Sequence, residues 1–392
     1  MANTPSVAVV GGGIGGVTAA LLLQKAGYEC HVYEKSSDIA RIGAGINLYP
    51  NGTRVLTTLG LEKQLFSYGL RHQAKVSRDF DTGRLTYSIE CQVLEDIYGA
   101  PVVTIHRGDL AHVLISALRP GTFHLDHSVT EVKDTGDEVR LTFSSGATAN
   151  AHLVIGADGV NSRIREILLG PERPKYSGDV VYRALFPLSR LNGFKPEDHC
   201  KWWADDGRFV LIYYITAGRE EAYFLGGAPE PIWGKDDYSP TPVSTAHVQR
   251  IFHDFHPDVQ KVLEGAPNAN RWAILERDPL PLWSRGRIVV LGDACHPMTP
   301  YMGQGGSMAL EDAAMLVRCL QLANGTDPQP AFRLYEANRA ARTRRVQVES
   351  KKGDWQRYGM DHEWVMGYDP FTVPLVDPAG VRGEATPETR IA

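Results

Sequence analysis

Cysteine is scarce in this chain, and its distribution excludes two kinds of site. Five cysteines are scattered through 392 residues, and no two of them form a CxxC pair. Zinc sites and disulfide frameworks use cysteines at short, regular spacings, so neither is expected. Unpaired cysteines are typical of a reducing compartment, which predicts a cytoplasmic protein.

Neither an excess of positive charge nor a long hydrophobic run is present. The chain has 41 Lys and Arg residues against 46 Asp and Glu residues, for a net charge of −5. A basic field for nucleic acid or for an anionic membrane surface is therefore not expected. No uncharged apolar window reaches the roughly 18 residues that a membrane-spanning helix needs. The apolar run near the N-terminus leads into a glycine turn and differs in this from a signal peptide.

That glycine turn lies between a predicted strand and a predicted helix. In Gly11-Gly-Gly-Ile-Gly-Gly16, the first, third and last glycines match the G-x-G-x-x-G fingerprint. Gly11 makes the tight turn, Gly13 lets a pyrophosphate approach the backbone, and Gly16 allows the helix to pack on the strand. Glu34 ends the next predicted strand, where a carboxylate can accept hydrogen bonds from ribose hydroxyls. This βαβ unit predicts dinucleotide binding, with NAD and FAD both open.

A second glycine-rich segment, Leu291–Ser307, distinguishes between these cofactors. A short buried strand leads to Asp293, whose carboxylate could accept hydrogen bonds from cofactor hydroxyls. Pro300 then holds an extended loop. A helix is predicted to begin near Ser307, and its start presents unpaired N–H groups to something anionic. The glycines of this start are Gly303, Gly305 and Gly306. A nicotinamide dinucleotide needs no second cradle and FAD does, so FAD is predicted.

Three charged or titratable residues near these motifs each have two interpretations. Arg107 could reach phosphate or ring oxygens of the cofactor, or be a solvated cap residue. Asp158, in a glycine turn, could organise both cofactors, or make an Asx turn that caps the following helix. His296 could serve a proton relay or only a structural hydrogen bond.

The middle of the chain changes character, because aromatic and β-branched residues alternate between turns there. This alternation is typical of a largely antiparallel sheet. Helices are predicted over residues 245–263, with Ser244 as cap, and over 331–347, where the helix is basic and solvated. We expect an α/β protein with a Rossmann-like FAD-binding domain (1–75, 100–178 and 270–345), an inserted substrate-binding sheet domain (76–99 and 179–269), and a C-terminal helix with a disordered tail (346–392).

Together, these motifs resemble the class A flavoprotein aromatic hydroxylases. The resemblance rests on the glycine turn with Glu34, then Asp158-Gly159, then Gly292-Asp293, in this order. Within that family, some segments are similar to those of the 6-hydroxynicotinate 3-monooxygenases, relatives of the salicylate hydroxylases. These segments are Thr104–Leu110, Lys201–Trp203, Tyr213-Tyr214 and Pro279–Arg287.

The resemblance implies a cofactor, a reductant and a reaction. FAD is reduced by NADH or NADPH, and the reduced flavin takes O₂ to a C4a-hydroperoxide that hydroxylates an electron-rich ring. The substrate is then a small aromatic or heteroaromatic acid, with loss of CO₂ if its carboxylate sits on the attacked carbon. The protein would work as a monomer or homodimer. The implied cofactor-binding residues are Gly11, Gly13, Ile14, Gly15, Gly16, Glu34, Lys35, Arg41, Arg107, Val129, Asp158, Asp293, Pro300, Gly303, Gly305 and Gly306.

Residues for catalysis and substrate binding are expected where the aromatic sheet meets the flavin. Strand alternation puts Tyr213 and Tyr214 on opposite faces, and Tyr213 is expected to face the ring. A tyrosine there could help to deprotonate the substrate. The predicted catalytic residues are Tyr213, Asn47, Tyr301 and His296, and the predicted substrate-binding residues are Asn47, Phe209, Tyr213 and Tyr301.

The substrate itself is left open by three departures from the resembled enzymes. Asn47, Phe209 and Tyr301 stand where the 6-hydroxynicotinate enzymes have histidines, so the reaction type carries over and the pyridine substrate does not. A hydroxy- or aminobenzoate fits such a pocket as well. Two other functions also stay open: a nicotinamide-dependent dehydrogenase, and a flavin-binding module without turnover.

Overall fold

The structure is a computed structural model in which two large sheets enclose a cleft. It describes residues 5–39, 44–234, 237–267, 269–323, 327–353, 355, 357 and 361–378.

The strands of the described residues are numbered in chain order. They are β1 (Ser6–Val10), β2 (Glu29–Tyr33), β3 (Gly45–Leu48), β4 (Leu70–Arg71), β5 (Ala74–Asp79), β6 (Leu85–Glu90), β7 (Val103–His106), β8 (Phe123–His124), β9 (Val129–Asp134), β10 (Val139–Phe143), β11 (Thr148–Ala151), β12 (Leu153–Gly156), β13 (Lys175–Pro187), β14 (His199–Trp203), β15 (Phe209–Tyr214), β16 (Glu221–Pro229), β17 (Thr241–Val243), β18 (Ala269–Glu276), β19 (Ser284–Arg285) and β20 (Ile288–Val290).

The helices are numbered in the same way. They are α1 (Ile14–Lys25), α2 (Pro50–Thr58), α3 (Glu62–Tyr68), α4 (Cys91–Tyr98), α5 (Arg107–Ser116), α6 (Arg163–Leu169), α7 (Thr245–Ile251), α8 (Pro257–Gly265), α9 (Gly305–Ala323), α10 (Gln329–Lys351) and α11 (Glu363–Met366).

The first large sheet has the order β19-β20-β12-β1-β2-β8. Its neighbouring strands are parallel except at the edge, where β19 runs antiparallel to β20. Parallel strands are covered on both faces, which accounts for the buried apolar run that follows Ser6 in β1. The predicted Rossmann-like domain is confirmed.

The second large sheet has the order β17-β18-β13-β16-β15-β14-β5-β6. It is antiparallel apart from the parallel pairing of β14 with β5. One face packs on α7 and α8 in an apolar cluster that includes Phe252 and Val259. The other face carries a second, aromatic-rich cluster. Its strands come from Ala74–Glu90, where the segment 76–99 was expected, and from Lys175–Glu276, where 179–269 was expected.

The predicted helix over residues 245–263 is wrong as one element, because the chain forms two helices there. α7 ends at Ile251 and α8 begins at Pro257. The residue before a proline is pushed away from helical geometry, and His256 is extended with ψ 146°. The predicted cap is present, since the His247 N–H donates to Ser244 Oγ at 3.2 Å.

The C-terminal helix α10 is longer and less solvated than the sequence predicted. It runs from Gln329 to Lys351, and Phe332, Tyr335 and Arg339 are fully buried in it. Its basic composition suggested a solvated helix, but Arg339 is drawn inwards by the buried carboxylates of Glu311 and Asp312, at 2.5 and 2.7 Å from its guanidinium. The predicted tail after Asp377 lies almost entirely outside the described residues.

Two helices begin at the cleft. α5 begins at Arg107 itself, and α9 begins at Gly305, ahead of the predicted start near Ser307. Among the described helices, none combines the length and apolarity needed to cross a membrane. The five cysteines are buried and unpaired.

Candidate active site

A cleft between the two large sheets brings the separated motifs together. It has about 1430 Å³ of empty space, part of it open to solvent. One end is lined by the glycine turn before α1, the middle by β3 and the start of α9, and the far end by the second sheet. The space is therefore long enough to join a nucleotide site to a ring-binding site.

The geometry of the glycine turn explains each of its fingerprint positions. Gly11 has a φ of 108°, which favours glycine, and a Cβ there would lie 2.4 Å from the Ala157 carbonyl oxygen. A Cβ on Gly16 would lie 2.1 Å from the Gly11 carbonyl oxygen, so α1 could not pack as it does. A Cβ on Gly13 would meet nothing within 4 Å, because this position opens into the cleft. Ile14 and Gly15 also line the cleft.

Glu34 is tied to the same turn. Its carboxylate accepts the Gly12 N–H at 2.7 Å and the Ser36 N–H at 2.9 Å. Burial raises the pKa of Glu34, but the hydrogen bonds from Ser36 and Gly12 lower it by more than burial raises it. The pKa of Glu34 is therefore below its usual value. The carboxylate is thus held ionised beside the turn. Lys35 is exposed and does not line the cleft.

Asp158 caps the helix that follows its glycine turn, as one of its two interpretations predicted. It accepts the backbone N–H groups of Arg163 at 2.6 Å and Ile164 at 3.1 Å, and Ser162 Oγ donates to it at 2.5 Å. Desolvation nevertheless raises the pKa of this buried carboxyl. Gly159, next to it, lines the cleft. Asp158 therefore fixes the turn that brings the Gly159 backbone to the cleft.

The middle of the cleft is formed by Arg107, Asp293 and the start of α9. Arg107 and Asp293 both line the cleft, together with Pro300. Gly303, Gly305 and Gly306 line it as well. The N-terminus of α9 opens at this surface, where its free N–H groups favour negative charge.

Asn47 lies on β3, and its side chain accepts a hydrogen bond from the buried Lys75. Lys75 Nζ donates to Asn47 Oδ1 at 3.5 Å and to the Tyr49 hydroxyl at 2.6 Å. Lys75 is fully buried, and this burial lowers the pKa of its ammonium to about 7. Asn47 and Tyr49 both line the cleft, whereas Lys75 lies behind them.

The second sheet supplies an aromatic wall at the far end of the cleft. Phe209 and Tyr213 line the cleft, as does Tyr223, whose ring centroid lies 5.1 Å from that of Tyr213. Tyr214 points to the opposite face, where its hydroxyl donates to the Pro196 carbonyl oxygen at 2.9 Å. The strand alternation therefore places Tyr213 as expected.

Tyr301 closes the cleft from the loop side. Its hydroxyl donates to Asp179 Oδ2 at 2.9 Å, and its ring meets Phe209 edge-on with centroids 5.6 Å apart. Burial is the main cause that raises the pKa of Tyr301, and the Asp179 charge raises it further. Tyr301 is therefore a fixed, protonated group.

Two further predicted residues, His296 and Val129, do not line the cleft. His296 Nε2 lies 2.5 Å from Asp312 Oδ2 in the buried core, away from the cleft lining, so its proton-relay role has no geometric support. This contact is the structural alternative. Val129 packs in the core of the first domain. Arg41 lies outside the described residues.

Several cleft residues were missed by sequence reasoning. Arg183, Lys201 and His199 line the far end, and Tyr49 lines the middle. Arg183 could have been found from the sequence, because it alternates with the apolar Val181 and Leu185 on one strand and is a charged residue between them. A cation on an apolar face points to a site or to a buried ion pair.

The residues of the cleft fit FAD on three counts. The open space above Gly13 is a cradle that a Cβ would begin to fill. Asp293 and the start of α9 supply an acceptor and a set of donors further along. An end walled largely by the aromatic side chains of Phe209, Tyr213 and Tyr223 then follows beyond Asn47. The site has room and polarity for both a nucleotide and a ring system.

Comparison with known proteins gives the class first. The FAD binding domain family matches residues 4–350. The chain belongs to this family. It is an FAD-dependent aromatic hydroxylase, because its curated relatives over most of its length are aromatic-ring monooxygenases.

Among those relatives, the 6-hydroxynicotinate 3-monooxygenase of Bordetella bronchiseptica is 44% identical over 379 residues, covering 96% of this chain and 98% of that protein. The enzyme of the same name from Pseudomonas fluorescens is also 44% identical, over 383 residues, with coverage of 96% and 98%. The 3-amino-4-hydroxybenzoate 2-monooxygenase of Streptomyces cremeus is 37% identical over 353 residues, with coverage of 88% and 86%.

Solved structures show the same fold. HpxO of Klebsiella pneumoniae, complexed with FAD and uric acid, superposes with a TM-score of 0.80 at 28% identity and covers 92% of this chain and 90% of its own. A salicylate hydroxylase substrate complex superposes with a TM-score of 0.79 at 23% identity, with coverage of 94% and 96%.

Proposed function

We propose that this enzyme hydroxylates a small aromatic acid that carries a ring hydroxyl or a comparable electron-donating group. The observation that carries the proposal is the continuity of one cleft from Gly13 to Tyr213. The FAD-binding elements and a closed aromatic wall thus share one space. A benzoate or a nicotinate of this kind fits that wall, and the names of the relatives include both kinds of ring.

The cofactor supplies the redox chemistry, and the chain supplies placement and polarity. FAD, when bound and reduced by NADH or NADPH, activates O₂ for transfer of one oxygen atom to an electron-rich ring. Gly13, Arg107 and Asp293 would hold the dinucleotide, and the start of α9 would stabilise negative charge on the reduced ring system. The apolar face of the second sheet would keep water away from the reacting atoms.

Tyr213 is proposed to bind the ring oxygen of the substrate as a hydrogen-bond donor. Its hydroxyl is fully buried, and burial raises the pKa of Tyr213 well above the usual value. A tyrosine with so high a pKa stays protonated at neutral pH, so it donates rather than removes a proton. This differs from the deprotonating role that the sequence suggested for a tyrosine.

Asn47 is proposed as a second polar contact to the substrate. Lys75 Nζ donates to its Oδ1, so the amide N–H₂ would be the group that donates to a ligand. The lining residues of the described cleft all come from one chain, so the proposed function needs no shared site and suits a monomer or a homodimer. A reducing, cytoplasmic setting is proposed from the unpaired cysteines.

A substrate screen tests the function. The FAD-loaded enzyme is given hydroxylated and aminated benzoates and nicotinates, and NADH oxidation, hydrogen peroxide and CO₂ are recorded together. Stimulated NADH oxidation without peroxide supports hydroxylation, and release of CO₂ with it indicates decarboxylative attack. If none of these acids accelerates NADH oxidation, the proposed substrate class is wrong.

The role of Tyr213 has its own test. With the acid that works best in the screen, Tyr213→Phe should lower kcat/KM by about 10-fold or more, because a hydrogen bond to a charged oxygen is worth about 1.5–3 kcal/mol. Tyr214→Phe is the matched control, since that hydroxyl lies on the other face. Equal effects of the two variants would remove the proposed role.

A further inference from the structure

Two cations share one row of side chains across the second sheet. The strand register pairs Arg183 with Leu225, Leu225 with Leu211, and Leu211 with Lys201. All four side chains line the cleft. Three strand spacings of about 4.8 Å put the Cα atoms of Arg183 and Lys201 about 14 Å apart. The row therefore has two leucine side chains in its middle and a positively charged side chain at each end.

The Arg183 end is rich in hydrogen-bond donors. Arg183 Nε is buried and has no hydrogen-bond partner among the residues that the structure describes. The guanidinium carbon lies 5.2 Å from the centre of the Trp272 ring. Burial raises the pKa of Tyr213 and of Tyr223, and the positive charge of Arg183 opposes both rises, so the two hydroxyls lie within its field. A negatively polarised oxygen at this end would satisfy the guanidinium.

At the other end of the row, the Lys201 ammonium lies against the aromatic rings of Trp203 and Phe209. Lys201 Nζ lies 3.8 Å from the centre of the Trp203 ring and 4.6 Å from that of Phe209. It also donates to the Tyr301 carbonyl oxygen at 3.4 Å. The ammonium is therefore held towards the Tyr301 loop, on the side of the row away from Tyr213. A buried ammonium on apolar walls favours an anionic group on its ligand.

We propose that Arg183 and Lys201 bind the two ends of the substrate, an arrangement called the clamp below. The clamp selects aromatic acids that carry a hydroxyl oxygen on the ring, para to the carboxylate. Lys201 binds the carboxylate, and Arg183 binds the ring oxygen beside Tyr213. The clamp rests on the proposed function and narrows its substrate class. An amine in place of the ring oxygen would set a donor against the guanidinium donor, so aminated acids should bind less well.

Binding to the FAD-loaded enzyme tests the clamp without turnover. Isothermal titration calorimetry measures the Kd of 4-hydroxybenzoate, of 4-hydroxybenzamide, which lacks the carboxylate charge, and of 4-aminobenzoate, which lacks the ring oxygen. The three probes have nearly the same shape. Each is titrated into the wild type, Arg183→Met, Lys201→Met, and the charge-keeping controls Arg183→Lys and Lys201→Arg. Bound FAD per chain checks that every variant is folded.

Each end of the clamp has its own expected signature. The wild type should bind 4-hydroxybenzoate at least 10-fold tighter than either isostere. Lys201→Met should lose the preference for 4-hydroxybenzoate over 4-hydroxybenzamide and keep its preference over 4-aminobenzoate. Arg183→Met should lose the preference over 4-aminobenzoate and keep the preference over 4-hydroxybenzamide. Lys201→Arg and Arg183→Lys should each keep a preference of at least 3-fold at their own end.

Three results would overturn the clamp. One is a wild type that does not prefer 4-hydroxybenzoate over both isosteres. Another is a Met variant that erases both preferences or neither, and the third is a charge-keeping variant that behaves like its Met counterpart. Failure of the proposed function looks different, because there no acid stimulates NADH oxidation in the screen. A uniform loss of probe binding with intact turnover contradicts the clamp alone.

Discussion

The Tyr301 hydroxyl donates to Asp179 Oδ2 across 2.9 Å, so Tyr301 can meet a ligand only as an acceptor. A hydroxyl has a single hydrogen to donate, and here that hydrogen is used within the protein. Burial, followed by the charge of Asp179, raises the pKa of Tyr301. Both features exclude Tyr301 as the base that removes a substrate proton near neutral pH.

Tyr301→Phe should therefore change activity modestly and leave its pH dependence alone. We expect kcat/KM to fall by about 3- to 10-fold, the size of one neutral hydrogen bond. The measurement is kcat/KM from pH 6 to 9 with the best acid of the screen. A loss above 100-fold together with a missing ionisation in the profile would show that Tyr301 is a base after all.

Gly13→Ala should weaken FAD binding without disturbing the fold. The added methyl group enters open space in the cleft, where the pyrophosphate is expected, and Gly13 has an ordinary φ of −76°. We predict an FAD Kd at least 10-fold higher and an unchanged free energy of unfolding for the apoprotein. Fluorescence titration with FAD and urea unfolding measure the two quantities.

Gly16→Ala is the matched control for that variant. Its methyl group would lie 2.1 Å from the Gly11 carbonyl oxygen, so the apoprotein itself should lose about 1–3 kcal/mol of stability. Equal stabilities of the two apoproteins would contradict the geometry of the turn.

Asp312→Asn should destabilise the protein strongly near neutral pH. Asp312 accepts the Gly292 N–H at 2.9 Å and pairs with His296 at 2.5 Å and with Arg339 at 2.7 Å. It thereby anchors the turn that carries Asp293. Removing one member of a buried ion network costs about 3–5 kcal/mol. Urea unfolding measures this loss, and Asp137→Asn at an exposed position is the control.

The same variant predicts a pH dependence with a definite sign. Burial raises the pKa of Asp312, but His296 and Arg339 lower it more, to about 2. Since the folded pKa lies below the unfolded value near 3.9, this contribution is complete above about pH 5 and is lost progressively as the pH falls towards 2. The stability gap between the wild type and Asp312→Asn should shrink between about pH 5 and 3. A gap that stays constant there would contradict the assignment.

Lys75→Met should flatten the rise of stability at alkaline pH. Burial lowers the pKa of Lys75 from 10.5 to about 7. The unfolded chain then binds more protons than the folded one between these two values, so folding gains stability as the pH rises through this window. Urea unfolding at pH 7, 8 and 9 measures the slope. The exposed Lys133→Met should keep the slope of the wild type, and an equal slope in Lys75→Met would show that Lys75 is not buried as described.

The features that could be predicted from the sequence are those that depend on residues close together in the chain. The turn from Gly11 to Gly16 and the placement of Tyr213 follow from local rules of spacing and alternation, and the structure shows both. The row from Arg183 to Lys201 could not be predicted, because it depends on the register of strands that are far apart in the chain. His296 was predicted to lie near the flavin because of its place in the sequence alone, whereas it lies in a loop and its partner Asp312 comes from α9.

The most direct test of the central claim is the fate of labelled oxygen. The enzyme is supplied with ¹⁸O₂, NADH and the acid that most accelerates NADH oxidation, and the product is analysed by mass spectrometry. An FAD-dependent hydroxylase built as described should place one ¹⁸O atom on the ring for each NADH oxidised. NADH oxidation that yields only labelled hydrogen peroxide, with the acid recovered unchanged, would contradict it.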